Sequence, residues 1–456
     1  MDIKNTKIVL CSGIRTPIGH IARSLSGFSP EDLLENTIQA LMQKTSLYPH
    51  AVDGVLTGWV GQGSIAPNIA RIALLKSGLP EKAHAITIQA NCISGMESVC
   101  SAARHIFSGE GELYLAGGTE SMSTFPYIIR GSRSLKELRS IESVKENWPQ
   151  LWDAEGVVIN DSIEEGLMDP VKLINMAGTA EVCAQMYSIP RQAQDEYALA
   201  SYTKTLAAEK NGFYAGHTIP ITKNGDTILT QDEYPFLRES LVKKPRMLEK
   251  APAMFNSPAY SLQDFYSQYG QHILGKSYEE GKSQATVTLF TSCARSDGAA
   301  VVIVTTPEKA RDLNLEILAE MKSWAFWGNN PAHMGIAPIF SADIALQRAG
   351  ICFDDLGDIE LHEAFAATCL SIFKVGKEKF KQNWEDKYLA NQVNPNGGTI
   401  ALGHPLAATG TRVILNALYA MKKNPDINYA MALACASGGL GGAIVLKRFD
   451  DGRSKS

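Results

Sequence analysis

Cys92 lies in Thr87-Ile88-Gln89-Ala90-Asn91-Cys92-Ile93-Ser94-Gly95-Met96, where an apolar, β-branched run gives way to a helical pattern. From Ile93 onward Met96, Val99, Cys100, Ala103 and Ile106 recur at spacings of three and four. A thiol at such a junction faces the unpaired N–H groups of a first helical turn, which predicts a pKa lowered toward neutrality. This is a setting for a nucleophile. Three further segments carry reactive side chains. Asn394 to Gly410 is a glycine-rich approach to His404, with Pro405 at the expected first position of a helix. Met431 to Gly442 is an apolar strand ending in Cys435 and a glycine cluster, where backbone N–H groups can approach a ligand oxygen. Ile359 to Ala366 places His362 at a strand end before a helix. Two cysteines and two imidazoles at strand ends supply a nucleophile, a base, an acid and an oxyanion donor.

The elements that must gather them follow an α/β pattern. Residues 1–125 alternate short apolar strands with amphipathic helices, such as Leu33 to Leu47, and residues 309–450 do the same. The two stretches share a layout of strand, Asn- and Gly-rich turn, reactive residue, helix, strand and Gly-rich turn: Cys92 to Gly118 parallels His404 to Gly439. Thr286 to Val304, within about 286–308, returns to the first stretch as its last strand. Residues 126–285 are richer in charge, aromatics and turns, and 451–456 form a tail.

Over nearly its whole length the chain resembles the thiolases. The resemblance rests on ordered blocks: Arg15-Thr16-Pro17-Ile18-Gly19, Asn68-Ile69-Ala70-Arg71, the Cys92 segment, Gly117 to Ser123, Pro331 to Pro338, and the His362, His404 and Cys435 segments. It implies a five-layer α/β/α/β/α core of two similar βαβαβαββ halves, with 126–285 as an inserted loop domain carrying two insertions. It also implies ping-pong thiolysis of a 3-oxoacyl-CoA. Cys92 takes the acyl group, His404 removes the Cys92 proton, and Cys435 protonates the departing acetyl-CoA carbon. One oxyanion hole would combine His404 with His362; the other would use the N–H groups of Cys92 and Ser437. Coenzyme A enters as co-substrate, with no bound cofactor and no metal.

Departures from the commonest family pattern narrow the expectation. Biosynthetic thiolases usually carry Asn where this chain has His362; histidine there resembles the β subunits of trifunctional fatty-acid oxidation enzymes. Ser437 replaces a usual glycine, Gln89 a frequent Asn, and Thr291-Ser292-Cys293 the usual Asn-Ala-Ser, so Cys293 falls at the expected pantetheine contact. Met176, Met334 and Phe365 match positions that wall the acyl pocket. Lys243, Lys244 and Arg246 either face the CoA phosphates or form a solvated basic run. The insertion at 132–162, with Trp148 and Trp152, resembles the helical hairpin of those β subunits, or is a solvated excursion. The insertion at 256–283, with Tyr260, Phe265, Tyr266, Tyr269 and Tyr278, either lines an acyl tunnel or a subunit contact or, the favoured expectation, packs under a long loop.

The expected activity is therefore that of a degradative 3-oxoacyl-CoA thiolase of fatty-acid β-oxidation. The alternatives are an acetoacetyl-CoA-forming thiolase, a decarboxylating condensing enzyme (which would lack the late acid cysteine), and an inactive assembly or lipid-binding subunit. The resemblance also implies a homodimer or tetramer and a possible hydratase/dehydrogenase partner subunit. Composition sets bounds. At 456 residues the chain exceeds one ordinary core. A net charge of −5 leaves no basic footprint for nucleic acid. The eight cysteines are scattered without a zinc spacing, which favours free thiols in a reducing, cytoplasmic setting. Met1 to Lys7 leads directly into the strand at Ile8, leaving no room for a signal peptide, and no apolar run is long enough to span a bilayer.

Overall fold

In a computed structural model, described for residues 6–131, 140–146, 148–151, 155–255, 261–273 and 275–450, the two α/β stretches form two half-sheets with one strand order. The first half comprises β1 (Val9–Arg15), α1 (Pro30–Thr45), β2 (Gly54–Gly58), α2 (Ile69–Lys76), β3 (His84–Ile88), α3 (Ser94–Ser108), β4 (Leu113–Ser121) and the late strand β5 (Ser296–Thr305). Its strands lie in the order β3-β2-β4-β5-β1, parallel among β3, β2 and β4 and antiparallel beyond. The inserted segment supplies α4 (Met176–Tyr187), α5 (Arg191–Lys210) and α6 (Leu262–Tyr269). The second half comprises β6 (Ala319–Gly328), α7 (Ala337–Ala349), β7 (Leu356–Leu361), α8 (Ala366–Val375), α9 (Leu406–Lys423), β8 (Tyr429–Ala436) and β9 (Leu440–Lys447).

The second half runs β7-β8-β9-β6, and Val393 bridges Ile359 in parallel where β3 borders β2 in the first half. The repeat in sequence is thus a repeat in topology. β1 and β6 pair briefly (Val9 with Glu320, Leu10 with Ala319), joining the halves into one sheet of ten strands among the described residues, the tenth being the short Gly19–His20 beside β5.

Side-chain alternation builds the layers. Along β8, Ala430, Ala432, Ala434 and Ala436 face a core shared with α3 and α9. Met431 and Leu433 face the opposite core, with Ile339 and Ala342 of α7 and Ile372 of α8. In the first half Val302 and Val304 face the central helices, whereas Val301 and Ile303 meet Leu34, Ile38 and Leu41 of α1 and Ala70 and Leu74 of α2. The order is α1/α2, sheet, α3/α9, sheet, α7/α8: the five layers expected. Small residues allow the central helices to fit. A Cβ on Gly95 would collide with the Ala407 carbonyl, and one on Gly410 would lie 2.7 Å from the Met96 nitrogen.

Local signals set the ends. Ser29 caps α1 reciprocally with Asp32, with Pro30 following. Pro405 is the N-cap of α9, not its first helical residue as the spacing predicts. The aromatics of the second insertion pack: Phe265, Tyr266 and Tyr269 are buried against Val182 and Tyr202, while Tyr260 lies outside the described residues. Just before the first insertion Tyr127–Arg130 pairs with Val158–Asp161 at its end, and two short helices, Ile141–Glu146 and Trp148–Leu151, lie between them in sequence. Trp148 is exposed; Trp152 lies outside the described residues. Among the described residues no helix is long and apolar enough to cross a membrane.

Candidate active site

Parallel strands deliver their reactive residues at their carboxyl ends, where open α/β sheets place ligands. Cys92 follows β3, His362 follows β7, and Cys435 ends β8. His404 follows the Val393 bridge and precedes α9, as Cys92 precedes α3. Asn91 takes φ +51° to turn the chain, and its side-chain amide donates to the Ser437 carbonyl (3.0 Å). Gln89, one of the departures from the family pattern, holds the same turn by accepting from Asn91 N (2.7 Å) and donating to Val60 O (3.2 Å). Gly403 sits at φ +103°, where a Cβ would meet Ser296 Oγ. Gly438 and Gly439, at φ +80° and +78°, reverse the chain after Ser437.

All nine expected site residues line one cavity of about 710 Å³: Cys92, Met176, Cys293, Met334, His362, Phe365, His404, Cys435 and Ser437. His404 Nε2 is 3.2 Å from Cys92 Sγ, and its Nδ1 is 2.7 Å from Thr409 Oγ1. With the thiol donating to Nε2, Nδ1–H donates to Thr409. The His362 ring lies 4.4 Å from that of His404, centroid to centroid. Its Nδ1 is 3.0 Å from Thr399 Oγ1, which in turn accepts from Arg412 Nη2 (2.5 Å). Thr399 Oγ1 has no other acceptor within reach among the described residues, so its proton points at Nδ1 and His362 takes the Nε2–H tautomer. That Nε2 is buried without a partner and borders the cavity.

The electrostatics correct one expectation. Burial pushes the Cys92 thiol up to about 12; Glu120 adds to this, while N–H donation from Ser437 and from Cys92 itself only partly opposes it. Desolvation is the largest of these effects. Burial, assisted by Arg412, takes the His404 imidazole down to about 3. The resting pair is neutral thiol and neutral imidazole. Burial likewise holds Cys435 and Cys293 as thiols and keeps His362 uncharged. Glu120, pushed up to about 7 by burial, accepts from Val60, Gly61 and Ala407 N–H and anchors the start of α9.

A model of the thiolase N-terminal domain matches residues 8–253, and one of the thiolase C-terminal domain matches residues 315–448. The chain belongs to the thiolase family. It is 31% identical to the probable acetyl-CoA acetyltransferase of Escherichia coli, over 97% of this chain and 99% of that protein. It is 30% identical to a probable acetyl-CoA acyltransferase of Staphylococcus aureus, over 97% of this chain and all of that protein. Among solved structures, the Bacillus anthracis acetyl-CoA acetyltransferase matches at TM-score 0.80 and 28% identity, covering 97% of this chain and 99% of that one. Human mitochondrial 3-ketoacyl-CoA thiolase in complex with CoA matches at 0.80 and 28%, covering 98% of each chain. This thiolase is therefore an acyltransferase.

Several residues that hold the thiolase site carry no obvious chemistry in sequence. Thr399, Thr409 and Ser296 are hydroxyls inside or beside apolar runs. Arg412 had a signal, being the lone charge between Leu406 and Met421. Glu363, beside His362, accepts from Tyr197, Ser201 and Asn394 side chains and from Ile400 N, tying α5 to the turn before His404. Arg238 and Arg295 are the cationic side chains that border the cavity among the described residues. Lys243, Lys244 and Arg246 do not line it; Lys243 pairs with Glu239.

Proposed function

We propose that the protein is a 3-oxoacyl-CoA thiolase of fatty-acid β-oxidation that works by ping-pong thiolysis in a reducing compartment, the cytoplasm. The observation that carries this is the Cys92–His404 contact at a cavity walled by Met176, Met334 and Phe365. As the Cys92 sulfur attacks the keto carbon, its proton passes to His404 Nε2. Since both groups rest neutral, proton transfer accompanies attack rather than preceding it. Oxygen charge meets fixed donors: the N–H groups of Ser437 and Cys92 at one position, and His362 Nε2–H with protonated His404 at the other. The carbon–carbon bond breaks, Cys435 gives its proton to the acetyl-CoA carbanion, and acyl-Cys92 remains. Coenzyme A, its thiol proton taken by the Cys435 thiolate, then attacks the thioester, and His404 returns its proton to the departing Cys92 sulfur.

Flexible methionine walls suit chains longer than acetyl, and an imidazole at 362 donates directly where an amide would position a water. The second reading, acetoacetyl-CoA formation, is favoured by the names of the acetyltransferase relatives. A series of thiolysis rates with C4 to C16 3-oxoacyl-CoAs separates the two. Rates that rise beyond C4 support the proposal; activity confined to C4 gives the biosynthetic reading. An acyl group trapped on Cys92 rejects the inactive-subunit alternative. The half-exposed outer strand β3 offers an edge through which copies would pair, giving the homodimer or tetramer that light scattering would detect. A hydratase/dehydrogenase subunit is the partner to seek by pull-down.

A further inference from the structure

His84, His105 and Glu110 meet at the opposite end of α3 from Cys92. Along β3, His84 shares a face with Ile88, which packs toward the central helices, so strand alternation turns its imidazole toward α3. His105 occupies the last turn of that helix, and Glu110 follows its left-handed cap at Gly109. The two imidazole rings lie 5.5 Å apart in an edge arrangement. His105 Nδ1 is 2.6 Å from Glu110 Oε2, while Ser108 Oγ donates to Oε1 (2.8 Å) and fixes the carboxylate. One donor atom from each residue falls within 4.8 Å of the others. The Ser108 and His105 hydrogen bonds hold the Glu110 carboxyl below its usual range, so it is anionic at neutral pH.

We propose that these three residues form a binding site for a divalent late first-row ion of the Zn²⁺, Co²⁺ or Ni²⁺ class. Two imidazoles and one carboxylate are the donor set those ions accept in a four-coordinate arrangement, a water filling the last position; Mg²⁺ and Ca²⁺ prefer oxygen donors throughout. The ion takes the place of the proton between His105 and Glu110, and that proton leaves to solvent when the imidazole is charged. The fifteen-residue α3 puts the site roughly 20 Å from Cys92. The ion would not touch the reaction. It would staple the start of β3 to the end of α3, the two elements that flank the Cys92 turn.

The test uses the purified full chain titrated with Co²⁺ and with Zn²⁺. We expect one equivalent of Co²⁺ with visible bands of imidazole–carboxylate ligation and no near-ultraviolet sulfur band, together with a rise in thermal midpoint that grows with Zn²⁺ concentration. His84→Gln and Glu110→Gln, both at exposed positions, should each weaken Co²⁺ binding at least tenfold and leave thiolysis unchanged in the absence of metal. Binding equal to the parent in both variants, a spectrum dominated by sulfur ligation, or no binding at millimolar Co²⁺ would each overturn the proposal.

Discussion

At the scale of single residues, the site is a set of neutral groups held ready by hydroxyls. His362 presents an unpaired Nε2 to the cavity because Thr399 occupies its other nitrogen, and Thr399 is oriented by Arg412. Thr399→Val keeps the shape and removes that constraint. If His362 serves the carbon–carbon step as an oxyanion donor, kcat should fall roughly ten- to a hundredfold with little change in KM. Alkylation of Cys92 by iodoacetamide should not change in the same variant, and an unaltered kcat would reject the role given to Thr399. The acidity of Cys92 supplies an independent check. A thiol held at about 12 is almost wholly protonated at neutral pH, and its thiolate grows tenfold with each pH unit below that value. Alkylation of the resting protein should therefore keep climbing between pH 7 and 9. A plateau near pH 7 would mean that Cys92 and His404 rest as an ion pair instead.

At the scale of elements, catalytic geometry depends on how closely α3 and α9 cross, since one helix begins just after Cys92 and the other just after His404. A Cβ at Gly95 would collide with the carbonyl of Ala407 and the Thr411 hydroxyl, so Gly95→Ala must push the two helices apart. Overpacking of this kind costs about 1–3 kcal/mol of stability. A displacement near 1 Å between Cys92 and His404, the proposed nucleophile and base, would lower turnover by about a hundredfold. The expected variant is thus folded, modestly less heat-stable and catalytically crippled; full activity with the same loss of stability would disconnect the crossing from the chemistry. The same elements explain what could be read from sequence. Cys92, His404 and Cys435 each stand beside an Asn or glycine turn, and His362 follows directly on strand β7; such boundaries leave a local imprint. Thr399, Thr409 and Ser296 leave none, because a threonine that orients an imidazole has the same local pattern as one packed in a helix. The acidity expected of Cys92 failed for a related reason: a helix terminus is a local feature, whereas the burial that pushes its thiol up comes from segments hundreds of residues away.

At the scale of the whole molecule, the inserted segment does more than cover the cavity; it ties the halves together. Arg15, at the end of β1, makes two hydrogen bonds of 2.6 Å with Asp232, 217 residues later, and both side chains are almost wholly buried. Asp232 also accepts from Ile18 N (2.8 Å), and the backbone of Arg15 pairs with His217 and Ile219. Tyr214 Oη reaches the Asn396 carbonyl (2.6 Å) in the approach to His404. Neither Arg15 nor Asp232 lines the cavity, so their pairing bears on folding rather than on chemistry. Removing one member of a buried ion pair strands the other, at a cost of about 3–5 kcal/mol, whereas replacing both with apolar groups is often close to neutral. Arg15→Met alone should therefore lower the thermal midpoint by several degrees. The double variant R15M/D232L should recover much of that loss, with kcat of the folded fraction near the parent value in both. Equal destabilisation in the single and double variants would mean that the ion pair contributes by its own attraction, and that the cost does not come from an abandoned charge.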